Sequence, residues 1–268
     1  MDSAKKRLLK LSDHIKLYKE CKKNKVDYIC SAFDLKSLEF LYKNTKFPFF
    51  KIPSGEILSI DTLKFISEKR LPIILSTGMA SVHEIKRTVK FLNKKEKKNI
   101  YLLHCVSDYP TKNKSLNLNF IKKLKKIFKY PVGLSDHSTG LLAPIAAVSL
   151  GASIIEKHVT FNKKTKGPDH KTSLTINEFE EMVNLIRSTE EVLGKTKKNL
   201  FLLLFFDCFL SWGPKKNMGF TACPEPRAKK TLEIQCFRDF VVLGQQKKCF
   251  SDFGVFSALG TNKKRCFY

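Results

Sequence analysis

Short apolar runs recur every 20 to 30 residues from Leu8 to about Gly194, each followed by a longer amphipathic stretch. This alternation constrains the fold more than any other feature. Strands that are separated by helix-length connections pair in parallel through helical crossovers, whereas hairpin-linked strands do not. The predicted strands are Asp27–Cys30, Phe49–Ile52, Pro72–Leu75, Ile100–His104, Pro131–Leu134 and Ser153–Glu156. The predicted helices lie near 10–24, 35–43, 59–69, 81–93, 117–129, 140–150 and 176–193. Ser81 with Glu84 three residues on forms a capping-box pattern, Thr175 or Asn177 caps the last helix, and Gly194 ends it.

Polar, glycine-containing segments follow the carboxyl ends of nearly every strand: Ser54-Gly55-Glu56, Ser76-Thr77-Gly78-Met79, Ser107-Asp108-Tyr109-Pro110 and Ser135-Asp136-His137. A barrel gathers its active-site residues on that face. An open doubly wound sheet would concentrate them at one switch point. The spread favours an α/β fold of the TIM-type (β/α)8 barrel class, incomplete, with about six of its eight βα units recognisable. The expected division is a partial barrel over 1–198 and a divergent tail over 199–268. In the tail, 213–230 is rich in Gly, Pro and Lys, and Phe237–Leu243 and Phe253–Phe256 read equally as strand or as apolar coil.

Composition narrows the classes further. The 50 Lys+Arg against 25 Asp+Glu give a formal charge of +25, which attracts polyanions without selecting among them. The lysines are scattered over helices and loops. No zinc finger, RNA-binding signature or basic region with heptads accompanies them, so no specific nucleic-acid partner is expected. The eight cysteines contain no CxxC pair, and Cys30 and Cys105 fall inside predicted strands. That usage fits reduced thiols in a cytoplasmic protein better than a disulfide framework. The amino terminus shows no signal-peptide pattern, and the most apolar run, Leu200 to Leu210, is too short to cross a bilayer as a helix, so no membrane association is expected.

Several residues carry candidate chemistry. His137 and His158 follow successive strands, each beside a carboxylate. They read either as ligands of Mn, Zn or Fe or as ordinary hydrogen-bonded loop histidines. Lys51 stands in a buried strand and needs a partner. A Schiff base, an anion clamp and a snorkelling side chain are all compatible with it. Ser54, Ser76, Thr77, Gly78 and Ser135 supply hydroxyls and close backbone approaches suited to phosphate oxygens. His104, inside a strand, reads as structural. His170 in Gly-Pro-Asp-His faces the same mouth, and His14 and His83 lie on helices facing solvent.

Six separated motifs then become specific. They are Lys51-Ile52-Pro53-Ser54-Gly55-Glu56, Ser76-Thr77-Gly78-Met79, His104-Cys105-Val106-Ser107-Asp108-Tyr109-Pro110, Gly133-Leu134-Ser135-Asp136-His137, Glu156-Lys157-His158 and Gly167-Pro168-Asp169-His170. In this order and spacing the chain resembles the N-acetylneuraminate (sialic acid) synthase family over about residues 10–195. The resemblance implies condensation of phosphoenolpyruvate with N-acetylmannosamine, or a related N-acetylated sugar, and water, giving a nonulosonic acid and phosphate. It implies a divalent metal, typically Mn2+ with Mg2+ as the alternative, on His137 and His158 to activate the aldehyde. Lys51, Ser54, Ser76 and Ser135 would hold the phosphate or carboxylate, with Ser31 near the same anion. Glu56 would serve the attacking water, and Ser107 and Tyr109 would contact the acceptor. Glu156 would support the metal and substrate region, and Asp169 would position a closing loop. By the same resemblance the partner would be a second copy in a homodimer.

The sequence also departs from that family. An early Glu-Ile-Gly type motif and a second lysine near the phosphate are not recognisable. Ser31 stands where a threonine is usual, Ala32 where a proline is common, and Ser107 where many relatives have asparagine. The family's C-terminal antifreeze-like domain is not recognisable in 200–268. The expectation is therefore a barrel truncated at its N-terminus, with a catalytically inactive fragment that binds metal, anion or a partner subunit as the alternative.

Overall fold

Residues 9–93, 99–167, 169–194, 201–203 and 242–244 are described by the structure, a computed structural model. In chain order its elements are α1 (Leu11–Lys23), α2 (Leu35–Asn44), β1 (Phe50–Ile52), α3 (Ile60–Glu68), β2 (Ile73–Ser76) and α4 (Val82–Leu92). There follow β3 (Ile100–Cys105), α5 (Phe120–Phe128), β4 (Val132–Asp136), α6 (Leu142–Ser149), β5 (Ile155–Lys157) and α7 (Ile176–Leu193). Short 3-10 turns cover Ser54–Glu56 and Asn113–Ser115. All seven predicted helices form, each within a few residues of its expected bounds.

Their ends follow from local chemistry. At α4 the Ser81 hydroxyl accepts from the Glu84 amide, and Glu84 returns a bond to the Ser81 amide. Thr175 and Glu178 make the same reciprocal cap on α7. Each box satisfies amides that the first helical turn leaves without intrahelical partners. Asp34 caps α2 by accepting from the Ser37 amide at 2.8 Å.

The five strands form one parallel sheet in sequential order, β1-β2-β3-β4-β5, with registers Phe50↔Ile73, Leu75↔Leu102, Leu103↔Gly133 and Ser135↔Glu156. The sheet curls through about 205°, slightly more than half the circuit of a (β/α) barrel. Side chains alternate between its faces. Phe50, Ile52, Leu75, Leu102, Leu134 and Ile155 point outward into a layer shared with Ile66, Ile85, Leu124, Met182 and Ile186 of the helices. Phe49, Ile74, Leu103 and Ile154, with Ile29 and Tyr101 against them, make a separate inner cluster that plugs the barrel axis. Each such side chain contributes roughly 1.5–3 kcal/mol when fully buried.

One predicted strand is not present as such. Asp27–Cys30 carries no strand assignment and no ladder to β1. Its side chains still dock with strand-like alternation, Tyr28 buried in the outer layer and Ile29 against the inner cluster. Tyr28 Oη lies 2.6 Å from His14 Nδ1 on α1, so the segment is held through side chains rather than backbone. His14 is consequently half-buried, not solvent-facing as expected; His83 is exposed.

Beyond α7, β6 (Phe201–Leu203) pairs antiparallel with β7 (Val242–Gly244). This puts a strand at the end of the predicted 237–243 piece; Phe253–Phe256 and 213–230 lie outside the described residues. Among the described residues Cys21, Cys30 and Cys105 are not joined to one another by disulfides. Among the described residues no helix is long and apolar enough to cross a membrane.

Candidate active site

The period of two that buries Ile74, Leu103 and Ile154 also directs the next inward residues of each strand toward the C-terminal mouth. Those residues are Lys51, Ser76, Cys105, Ser135 and Glu156, with His137 and His158 one further step out on β4 and β5. Close packing requires glycine at two places. A Cβ on Gly133 would stand 2.3 Å from the Ile154 carbonyl oxygen, and one on Gly78 would stand 2.6 Å from Cys105 Sγ. The first lets β4 and β5 close together beneath the histidines. The second lets the β2 and β3 loops meet at the rim.

Lys51 has its partner on the far side of the sheet. Its Nζ lies 3.2 Å from Glu156 Oε2, and the two side chains are only 6 % and 11 % exposed. The other carboxylate oxygen, Oε1, accepts the Ser135 hydroxyl at 2.5 Å. Ser76 Oγ is buried nearby in sequence register and makes no hydrogen bond with any described atom. A buried hydroxyl without a partner carries a desolvation penalty that a bound acceptor would remove. Cys105 is no rival nucleophile, because burial pushes its thiol above the ordinary value and keeps it protonated.

Hydrogen bonding fixes the state of His137. Its Nδ1 lies 2.8 Å from the Val106 carbonyl, which can only accept, so Nδ1 carries the proton. Nε2 therefore presents a lone pair to the mouth, where the Tyr109 hydroxyl donates to it at 3.0 Å. Ser135 Oγ is also 3.4 Å from Nε2, but its one proton is committed to Glu156. Burial lowers the pKa of His137, and likewise that of His158, where Asp169 and Glu156 pull the other way. The two rings meet edge to face with centroids 5.3 Å apart, and Tyr109 covers both at 4.1 and 5.7 Å.

The remaining predicted residues lie around this group at varying distance. Ser54 and Ser107 meet across the β1 and β3 loops, Oγ to Oγ at 3.3 Å. Asp169 lies in the loop after β5, close enough for its charge to oppose the burial-driven fall of the His158 pKa. Glu56 sits half-buried on the 3-10 turn directly after β1, and Ser31 half-buried beyond the Asp27–Cys30 segment. Neither has a contact with Lys51, His137 or His158 among the described interactions. His170 is drawn in by Thr160, whose Oγ1 lies 2.7 Å from its Nδ1. His104 is structural, on the outer face with Nε2 2.7 Å from the Leu116 carbonyl.

Sequence reasoning missed one feature. Asp136 and Lys157, each the neighbour of a mouth histidine, form an ion pair of 2.6 Å on the opposite face of the sheet, both fully buried. The signal was there to find: opposite charges on the helix-facing side of adjacent buried strands must be paired.

These residues suit a divalent cation in part. Neutral imidazoles with a hydrogen-bonded second nitrogen are the form that ligates metal. Among the described residues, however, no group of three or more His, Cys, Asp and Glu is arranged to hold one. Two histidines would leave most coordination positions to water and substrate, and a cation at Nε2 would have to displace the Tyr109 hydroxyl.

The fold has counterparts among known proteins. Residues 1–198 match the NeuB family. The chain is 47 % identical over 171 residues to an uncharacterized protein of Methanocaldococcus jannaschii, spanning 64 % of this chain and 50 % of that one. It is 41 % identical over 188 residues to the N,N'-diacetyllegionaminic acid synthase of Campylobacter jejuni, spanning 69 % of this chain and 56 % of that enzyme. It thus covers about half the length of these curated relatives. The crystal structure of the N-acetylneuraminic acid (sialic acid) synthetase of Leptospira borgpetersenii, in complex with citrate, superposes with a TM-score of 0.67 at 30 % identity, covering 85 % of this chain and 70 % of that one.

Proposed function

The chain belongs to the NeuB family, and from that membership together with the mouth geometry we propose that it condenses phosphoenolpyruvate with an open-chain N-acetylated amino sugar and water, giving a nonulosonic acid and phosphate. The observation that carries the reading is the buried Lys51–Glu156–Ser135 group directly beneath a pair of neutral histidines. A cation at the base of a polar mouth answers an anionic substrate, and the Ser76 hydroxyl, which makes no hydrogen bond with any described atom, answers one of its oxygens.

In this reading the anion of phosphoenolpyruvate lies against Lys51, Ser54, Ser76 and Ser135, with Ser31 at its margin. Lys51 acts as an electrostatic clamp: its paired ammonium is no free amine for a Schiff base. A divalent metal, Mn2+ or Mg2+, on His137 and His158 would supply Lewis-acid polarisation of the sugar aldehyde. Carbon 3 of phosphoenolpyruvate then forms the new C–C bond with the aldehyde carbon. Water adds at carbon 2, losing a proton toward Glu56, and the bond from carbon 2 to the phosphate oxygen breaks to release phosphate. Tyr109 and Ser107, on the exposed rim, orient the acceptor, and Asp169 steadies His158 and the loop after β5. N-acetylmannosamine is the simplest acceptor of this class.

The test is phosphate release by the purified chain with phosphoenolpyruvate and Mn2+, with and without N-acetylmannosamine or its 2,4-diacetamido relatives. Acceptor-dependent release lost in His137→Ala/His158→Ala supports the reading. A second reading has its own observation: the parallel sheet ends at β1 and β5 among the described residues. Such a half-barrel binds anion and metal without turnover, and folded protein that takes up Mn2+ but releases no phosphate would favour it.

A further inference from the structure

The buried ion pair behind the histidines has a geometry that stability alone does not require. Asp136 and Lys157 face each other in register across β4 and β5. Lys157 Nζ bonds Asp136 Oδ2 at 2.6 Å and also donates to the Ser138 carbonyl. Asp136 Oδ1 in turn accepts the Ser138 amide at 2.9 Å. The residues on both sides of His137 are therefore tied to one ammonium, Asp136 through its side chain and Ser138 through its carbonyl, and that ammonium belongs to the residue preceding His158. The His137 carbonyl accepts the Thr111 amide at 2.9 Å, which fixes the same turn from the β3 side. Because side chains alternate, this clamp acts on the outer face while both imidazoles project on the inner one.

Replacing a fully buried ion pair by well-packed hydrophobic residues of similar volume is often neutral or favourable for stability, so its presence is weak evidence for a stabilising role. Outer partners that orient metal-binding histidines, by contrast, commonly control affinity by 10–100-fold. We propose that Asp136 and Lys157 are a positioning pair. Through the 136–138 turn and the β4–β5 register they set the separation and orientation of His137 and His158. Neither residue reaches the mouth itself. As a statement about metal binding the assignment rests on the function proposed above; as a statement about the imidazoles it stands alone.

The test uses the full chain and two neutral pairs, Asp136→Asn/Lys157→Met and Asp136→Asn/Lys157→Gln. Asn keeps the acceptor for the Ser138 amide, and Gln keeps a cross-strand donor. The readouts are thermal midpoint, Mn2+ affinity by electron paramagnetic resonance, and the imidazole 15N spectrum of metal-free protein. The expected result for the Met pair is a folded protein with a thermal midpoint near wild type. Its Mn2+ affinity falls about 10–100-fold, as for other outer partners of metal ligands. The His137 signal moves from a single Nδ1–H tautomer toward an averaged one, and the Gln pair recovers part of both losses. A folded Met pair with the wild-type imidazole spectrum overturns the assignment. So does unfolding of both neutral pairs, which would make the ion pair a requirement of the fold. If wild type binds no Mn2+ while the imidazoles still loosen in the variant, positioning holds and the metal reading fails.

Discussion

Lys51→Met is the most informative single change at the mouth. Lys51 and Glu156 are 6 % and 11 % exposed and 3.2 Å apart, so removing the ammonium leaves a buried carboxylate with only the Ser135 hydroxyl on Oε1. Breaking one side of a buried pair costs about 3–5 kcal/mol. The lower end applies here, because the Ser135 bond to Oε1 survives. About 3 kcal/mol lowers the melting temperature of a domain this size by roughly 6–12 °C. Urea unfolding at pH 7.5 with an unchanged m-value reads the loss directly. In Lys51→Met/Glu156→Gln the stranded charge is gone, so most of the stability returns and the single effects are strongly non-additive. On the proposed anion site, inorganic phosphate should stabilise folded wild type but not Lys51→Met. Lys51→Met within about 1 kcal/mol of wild type, or a double variant equal to the sum of the singles, refutes the argument that this pair is a buried, mutually dependent charge couple.

Ser76→Ala removes a buried hydroxyl that makes no hydrogen bond in the ligand-free protein, so the thermal midpoint should stay level or rise slightly, while phosphate-dependent stabilisation shrinks; a marked loss of ligand-free stability would mean the hydroxyl is already paired. Gly133→Ala drives a methyl group to 2.3 Å from the Ile154 carbonyl, a backbone atom that cannot rotate aside, and should cost about 3 kcal/mol in urea unfolding, the upper end for overpacking. Burial lowers the His104 pKa in the fold, so the unfolded chain takes the proton first: stability is level above about pH 6.5 and falls as pH drops below it, by up to about 1.4 kcal/mol per pH unit for this group. His104→Gln keeps a donor for the Leu116 carbonyl without titrating, so its stability–pH curve should be flatter below pH 6.5; curves that superpose would remove His104 as a source of acid sensitivity.

The helices were legible because their information is local. An apolar stripe of period 3.6 and two reciprocal caps, Ser81 with Glu84 and Thr175 with Glu178, identify α4 and α7 without reference to the rest of the chain. The inner strands were legible from their runs of Ile and Leu. Asp27–Cys30 shows where that reasoning stops, since a run with strand-like alternation docks its side chains without forming a ladder. Partners distant in sequence were not readable either. The sequence says that Lys51 needs a partner but not that Glu156 is the one. His14 was misread because its contact, Tyr28, lies on another segment. Asp136 and Lys157 went unassigned because attention fell on the adjacent histidines, although the alternation that sends His137 and His158 inward sends those two charges outward into an apolar layer.

The most direct measurement of the central claim follows the bridging oxygen of phosphoenolpyruvate. With 18O between carbon 2 and phosphorus, the released phosphate is analysed by mass in the presence of Mn2+, with and without an N-acetylated amino sugar. Condensation with water adding at carbon 2 predicts labelled phosphate, formed only when the sugar is present and absent in His137→Ala/His158→Ala. Unlabelled phosphate would mean that phosphorus rather than carbon 2 is attacked, release that does not depend on the sugar would mean hydrolysis without condensation, and either would contradict the account.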